Sequence, residues 1–153
     1  MLVVIRITII IITGGDSDGG ALDSVVKLEN NVWSAVGGLG EARHGHSCVL
    51  HQGYIYAIGG EKAAGTSVER MDIATDTWES APSLPSEISY GQALSYGSTL
   101  YVVNPEGQVW KLSTAGQWEE VVGAGDIGYI GTRRVYPAPI DLKLVLQLHP
   151  SLH

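Results

Sequence analysis

A glycine doublet and a downstream tryptophan recur at one spacing, and that property confines the chain to a repeat architecture. Gly14-Gly15 returns as Gly59-Gly60 and Trp33 returns as Trp78, each after 45 residues. The second glycine of each doublet precedes its tryptophan by 18 residues, so the register holds without a gap. Leu39 maps onto Leu84 and Tyr56 onto Tyr101 by the same shift. Self-similarity at a fixed period of this size marks solenoids and propellers.

The best-preserved unit, Arg43 to Pro85, divides into four short strands. His46 to His51 is a mixed strand closed by a turn at Gln52-Gly53, and Tyr54 to Ile58 is a second strand ending at Gly59-Gly60. A glycine pair at a strand end permits positive φ and a close approach of backbones. Glu61 to Thr66 reads as a loop, Ser67 to Ile73 as a third strand, and Trp78 opens a fourth after the turn Ala74 to Thr77. Four short antiparallel strands in a unit of this length make one propeller blade. A single sheet cannot bury both of its apolar faces, so its large aromatics pack on the next sheet, burying roughly 150–250 Å² each. Trp33, Trp78 and Trp118 are expected in that inter-blade layer, with Tyr56 and Tyr101 beside them.

Composition agrees with an all-β chain. Glycine is abundant, phenylalanine is absent and charged residues are sparse, which suits short strands and tight turns. A formal net charge of −7 argues against a nucleic-acid binder, and Arg133-Arg134 is the one adjacent basic pair. Cys48 is the single cysteine, so no internal disulfide forms, and a reducing, cytoplasmic location is the expectation. Met1 to Thr13 is strongly apolar, but it is too short to cross a bilayer and Arg6 interrupts it. It lacks a small-x-small cleavage site, and its β-branched residues read as a strand running into Gly14.

The spaced glycine doublets and tryptophans resemble the kelch repeat. The run ARHGHSCVLHQGYIYAIGG followed by SVERMDIATDTWESAPSLP is similar in style to the metazoan kelch-like (BTB–kelch) proteins, and the resemblance covers about Ile7 to Val122. It implies an incomplete kelch β-propeller of about three four-stranded antiparallel blades. Residues 1–40 form the first, with an incomplete first strand that includes Val3 to Ile5. Residues 41–85 form the second and residues 86–122 a degenerate third. In that third unit Asn104-Pro105 replaces the doublet, with asparagine expected at the positive φ. Trp110 to Leu112 serves as its third strand. Residues 123–153 are either part of a fourth blade or a non-repeat terminus, with Leu142, Leu144, Leu146 and Leu148 alternating at a strand period.

Kelch rings close with about four to eight blades, so three leave two packing faces open. Self-association, or blades supplied from elsewhere, is expected to cover them. The chain then reads as a fragment or a truncated isoform.

No motif argues for an enzyme, a metal or a cofactor. His44, His46, Cys48 and His51 resemble a ligand set, but they lie on an ordinary first strand, and the repeat shift replaces them by Ser89, Gly91, Ala93 and Tyr96. The glycine doublets lack the lysine and the helix of a phosphate loop, and no nucleophile elbow is present.

What the resemblance implies instead is a protein-interaction module, like the substrate-recognition region of a cullin ubiquitin-ligase adaptor. An actin or other cytoskeletal partner falls in the same class. The relatives' BTB and BACK regions have no counterpart in this sequence, so ligase recruitment unaided is not expected. The alternatives are a fragment of a kelch-propeller oxidase or sugar isomerase, or a product without independent function. Partners of such relatives dock on the loops after each doublet and before each first strand. Here those are Asp16 to Gly20, Glu61 to Thr66, Asn104 to Gly107, Glu41 to His44, and Ser86 to Tyr90. The candidate contact residues are Asp16, Asp18, Arg43, His44, Glu61, Lys62, Glu87 and Glu106. The carboxylates among them favour a basic or polar partner segment. Arg43 maps onto Ile88 in the next unit, which argues against a ring of arginines for acidic ligands.

Overall fold

The computed structural model describes residues 10–61 and 64–121, and the regular structure within them is nearly all strand. Three antiparallel sheets follow one another along the chain. The first contains β1 (Ile10–Thr13), β2 (Asp16–Ser17), β3 (Gly20–Glu29) and β4 (Val32–Arg43), all paired to β3. The second runs β5 (Ser47–His51), β6 (Tyr54–Ile58), β7 (Val68–Asp72) and β8 (Thr77–Ala81) in sequence order. The third, β9 (Gln92–Tyr96), β10 (Thr99–Val103), β11 (Val109–Leu112) and β12 (Trp118–Glu120), has the same simple order. Each sheet is one blade, and together they are part of an incomplete propeller.

The strands expected in the central unit form within a residue or so of the positions read from sequence. Gln52 and Gly53 both take positive φ, the requirement of a two-residue hairpin turn. In the first blade β1, β3 and β4 occupy the places of β6, β7 and β8, while Val3 to Ile5 lie outside the described residues.

Two apolar layers bind the blades together. Val25, Val36 and Leu39 of the first blade meet Ala57 and Met71 of the second, with Ile11, Ile55 and Trp78 packed around them. Tyr56, Ile58, Val68 and Leu84 of the second meet Leu100, Val102 and Trp110 of the third, with Trp118 at the margin. Trp78, Trp110 and Trp118 therefore pack back towards the preceding blade. Trp118 anchors its indole by donating to Pro82 O at 2.8 Å.

This direction of packing corrects the expectation for Trp33 and Tyr101. Trp33 is 51% exposed, because no sheet precedes the first blade among the described residues. Tyr101 sits on the opposite face of β10 from Leu100 and Val102 and is only partly buried. Tyr56, its counterpart, is covered because a third blade follows. Trp110 fills the inter-blade layer instead, as a residue that sequence reading assigned only to a strand.

The glycine doublets work at the seams. Gly15 N–H donates to Arg43 O at 2.9 Å, and Gly60 N–H donates to Ile88 O at 2.8 Å. Donor and acceptor both shift by 45 residues, so one hydrogen bond is made twice, each time from a blade to the segment that begins the next. The third unit departs from this. Asn104 is not at positive φ, contrary to expectation; its buried amide bonds Gln108 through both Nδ2 and Oδ1, and Gly107 turns the chain at φ 88°.

Candidate functional site

The segments expected to meet a partner do not behave as one set of loops. Asp16 and Ser17 pair with Ala21 and Gly20, so this stretch is a tight hairpin rather than an open loop. Asp16 and Asp18 remain exposed on it. Glu41 and Arg43 belong to β4. Lys62 lies outside the described residues.

Arg43 requires the clearest correction. It is 0% exposed and cannot meet a partner. Its Nη1 donates to Gly59 O at 2.8 Å and to Ser67 O, while Nη2 donates to Ser67 Oγ and to Glu69 Oε1 at 2.6 Å. Glu69 Oε2 accepts the Gly40 N–H, and Oε1 accepts the Glu41 N–H as well as the guanidinium. The guanidinium thus ties the end of β6, the start of β7 and the exit of β4 to one another. Its job is to hold the seam that carries the next residue, His44.

His44, Glu61 and Tyr90 do come together. His44 Nε2 lies 3.0 Å from a Glu61 oxygen, and Glu61 N–H donates to His44 O. Interaction of the Tyr90 hydroxyl with the Glu61 side chain, with the negative charge of Glu61 and of Asp16 nearby, holds the phenol above its ordinary pKa. Tyr90 is 56% exposed. Its main chain is held at φ 56° by donation of its N–H to Gly45 O at 2.6 Å. The ring lies so close over Gly45 that a Cβ there would meet its carbons at 3.1 Å. The result is an exposed aromatic, backed by a glycine and flanked by carboxylates. The Ser86 to Tyr90 segment was legible as a candidate; Tyr90 itself was not singled out, although an aromatic in a partner-facing loop is the relevant signal.

Glu87 is exposed and its side chain covers Gly65. Glu106 is exposed in the turn between β10 and β11. Neither touches the Tyr90 group in a way that builds a single pocket.

His46 and Cys48 share one partner, while His44 and His51 go to others. The Thr13 hydroxyl lies 2.8 Å from both His46 Nε2 and Cys48 Sγ, and His51 Nδ1 lies 2.8 Å from Ser95 Oγ. Among the described residues no group of three His, Cys, Asp or Glu side chains could hold a metal ion.

Burial lowers the pKa of His46, with the charge of Arg43 adding to the effect, and burial alone lowers that of His51. Both rings are therefore neutral in the fold at a pH where free imidazole, at about 6.5, starts to protonate. Their contribution is fully present above that ordinary value and is lost as the pH falls through their depressed folded values. The melting temperature is expected to fall as the pH drops from 7.5 towards 5. A His46→Gln/His51→Gln variant melts with a shallower pH slope over that range.

Comparison with known proteins adds a match over part of the chain. Residues 42–85 match the Kelch motif. The chain is 32% identical over 80 residues to Kelch-like protein 35 of Mus musculus, covering 51% of this chain and 14% of that protein. It is 36% identical over 80 residues to Kelch domain-containing protein 7A of Mus musculus (50% of this chain, 10% of that protein). Beta-scruin of Limulus polyphemus is 33% identical over 82 residues (52% of this chain, 9% of that protein). The chain spans only a small part of the length of each of these relatives.

Proposed function

We propose, from the premise that this is a kelch-repeat protein whose three sheets are blades of an incomplete propeller, that it binds a basic or polar segment of a protein partner. The group formed by Tyr90, Glu61 and His44 is the contact surface. Kelch repeats carry protein interaction in general, and no chemistry is needed for that role. The observation that supports this reading best is Tyr90. A large aromatic exposed by more than half, with its main chain held by Gly45 and its ring backed against that glycine, loses little freedom on binding. Tyrosine anchors of this kind carry a large share of interface energy, while the carboxylates of Glu61 and Asp16 bias the neighbourhood towards cations.

The test is selection of extended peptides from a displayed library on the 153-residue chain. Peptides carrying Lys or Arg beside an apolar residue are expected to enrich, and Tyr90→Ala weakens their binding roughly 10-fold or more. Enrichment of acidic peptides, or binding that ignores Tyr90→Ala, rejects the surface. In the finer form of the proposal the bound partner is a substrate presented to a cullin ubiquitin ligase. Ubiquitylation of that partner in cells, lost with the Tyr90 variant, is the expected sign. Co-sedimentation with filamentous actin would direct the same surface to the cytoskeleton.

A further inference from the structure

We infer that the two blade faces left uncovered among the described residues are halves of one interface, and that a second copy of this chain docks head to tail across them. The chain makes that kind of interface twice within itself. In both cases the face of a later blade that carries its tryptophan meets the opposite face of the earlier blade. A third example of each half is present and is unmatched among the described residues.

On the first blade Ile12 stands where Ala57 stands on the second, and Leu28 lies opposite Trp33 as Met71 lies opposite Trp78. Ala57 and Met71 are buried and Trp78 packs beside them, yet Ile12 and Trp33 are each 51% exposed. On the third blade the uncovered face carries Leu94 at 44% and Tyr96 at 41% exposure, with Tyr101 and Val103 on the adjacent strand. These last two occupy the places of Tyr56 and Ile58, which are buried against the third blade.

The polar edge repeats as well. Arg70 pairs with Glu79 opposite Tyr56, and Lys111 pairs with Glu119 opposite Tyr101. The outer face of the third blade thus repeats the tyrosine, the aliphatic positions and the cation–carboxylate pair of the surface that the second blade uses for docking, with Thr99 in the place of Tyr54 and Tyr96 in that of His51. Pro105 stands where Gly60 donates its N–H across the seam, so this face requires no acceptor at that point from whatever covers it. The surface that complements it in this chain is the tryptophan face of a blade, and the one left uncovered belongs to the first blade. Two arcs of three blades supply six, within the range of about four to eight that closes such rings. The contact is heterologous, with different surfaces meeting.

That asymmetry makes the test sharp. Sedimentation velocity of the full chain is expected to show a concentration-dependent species of two copies. Trp33→Glu and Leu94→Glu each disable one half, and each alone weakens self-association by roughly 30-fold or more. Mixing the two variants restores a dimer, because the intact third-blade face of one meets the intact first-blade face of the other. Hydroxyl-radical footprinting of the unmodified chain supplies a readout that does not depend on a variant folding. Protection of Trp33 and Tyr96 is expected to rise together with concentration. A monomer at all concentrations assigns the faces to another occupant and overturns the inference. A dimer that survives either variant, or variants that fail to complement while folded by circular dichroism, overturns it equally.

Discussion

Gly59→Ala is expected to destabilise the chain by about 3 kcal/mol or more and to lower Tm by roughly 10 °C. Two separate costs combine. Gly59 has φ 66°, where an L-residue pays about 1–2 kcal/mol. Its added methyl would also overlap the carbonyl oxygen of Ile88, a backbone atom that cannot swing away. Relief requires moving the third blade off the second. That motion stretches the bond from Gly60 N–H to Ile88 O and opens the layer around Ile58, Ile88 and Leu100. Gly97→Ala is the control, since Gly97 has φ 57° but nothing within 4 Å of an added Cβ. It should cost only about 1 kcal/mol. Thermal melts of the two variants check the difference. Equal losses would mean that backbone conformation, not the approach of two blades, is what the doublet serves.

Features set by local chemistry were legible in the sequence, and features set by a neighbouring sheet were not. The strands of the central blade, the positive φ of Gly59 and Gly60 and the hairpin turn at Gln52-Gly53 follow from alternation and glycine placement within a few residues. Trp33 matches Trp78 in local sequence, and only the direction of packing separates an exposed indole from a covered one. Asn104 is a common replacement for glycine at positive φ, yet its amide found Gln108 across a tight turn, and Gly107 took the left-handed position. At the candidate site, the loop segments were legible from the position of each doublet. The grouping of His44, Glu61 and Tyr90 was not, because it depends on how the end of one blade meets the start of the next.

Arg43 is the case in which the sequence held a signal that needed two blades to read. By strand register, Glu69 lies opposite Ala57 and Trp110 lies opposite Val102, so Trp110 occupies in the third blade the place of Glu69 in the second. Ile88 occupies the place of Arg43. One seam therefore holds a buried arginine–glutamate pair where the next holds isoleucine and tryptophan, and all four are buried. Pro85 stands at the shifted place of Gly40, so the third blade also lacks the N–H that Glu69 accepts in the second. The swap is a coherent set, and it predicts how the pair responds to mutation. Arg43→Ile is expected to cost about 3–5 kcal/mol, because it leaves the Glu69 carboxylate desolvated without its cation. Adding Glu69→Leu should recover part of that loss, since an apolar pair is what the neighbouring seam already accommodates. A deficit of about 1–3 kcal/mol is expected to persist from the Gly40 and Glu41 amides, which lose their acceptor. Denaturant unfolding of the two single variants and the double variant gives the coupling energy directly. If Arg43→Ile melts like the unmodified chain, the guanidinium is not the tie that holds β4, β6 and β7 together, and the position of His44 beside Glu61 must be set by other contacts.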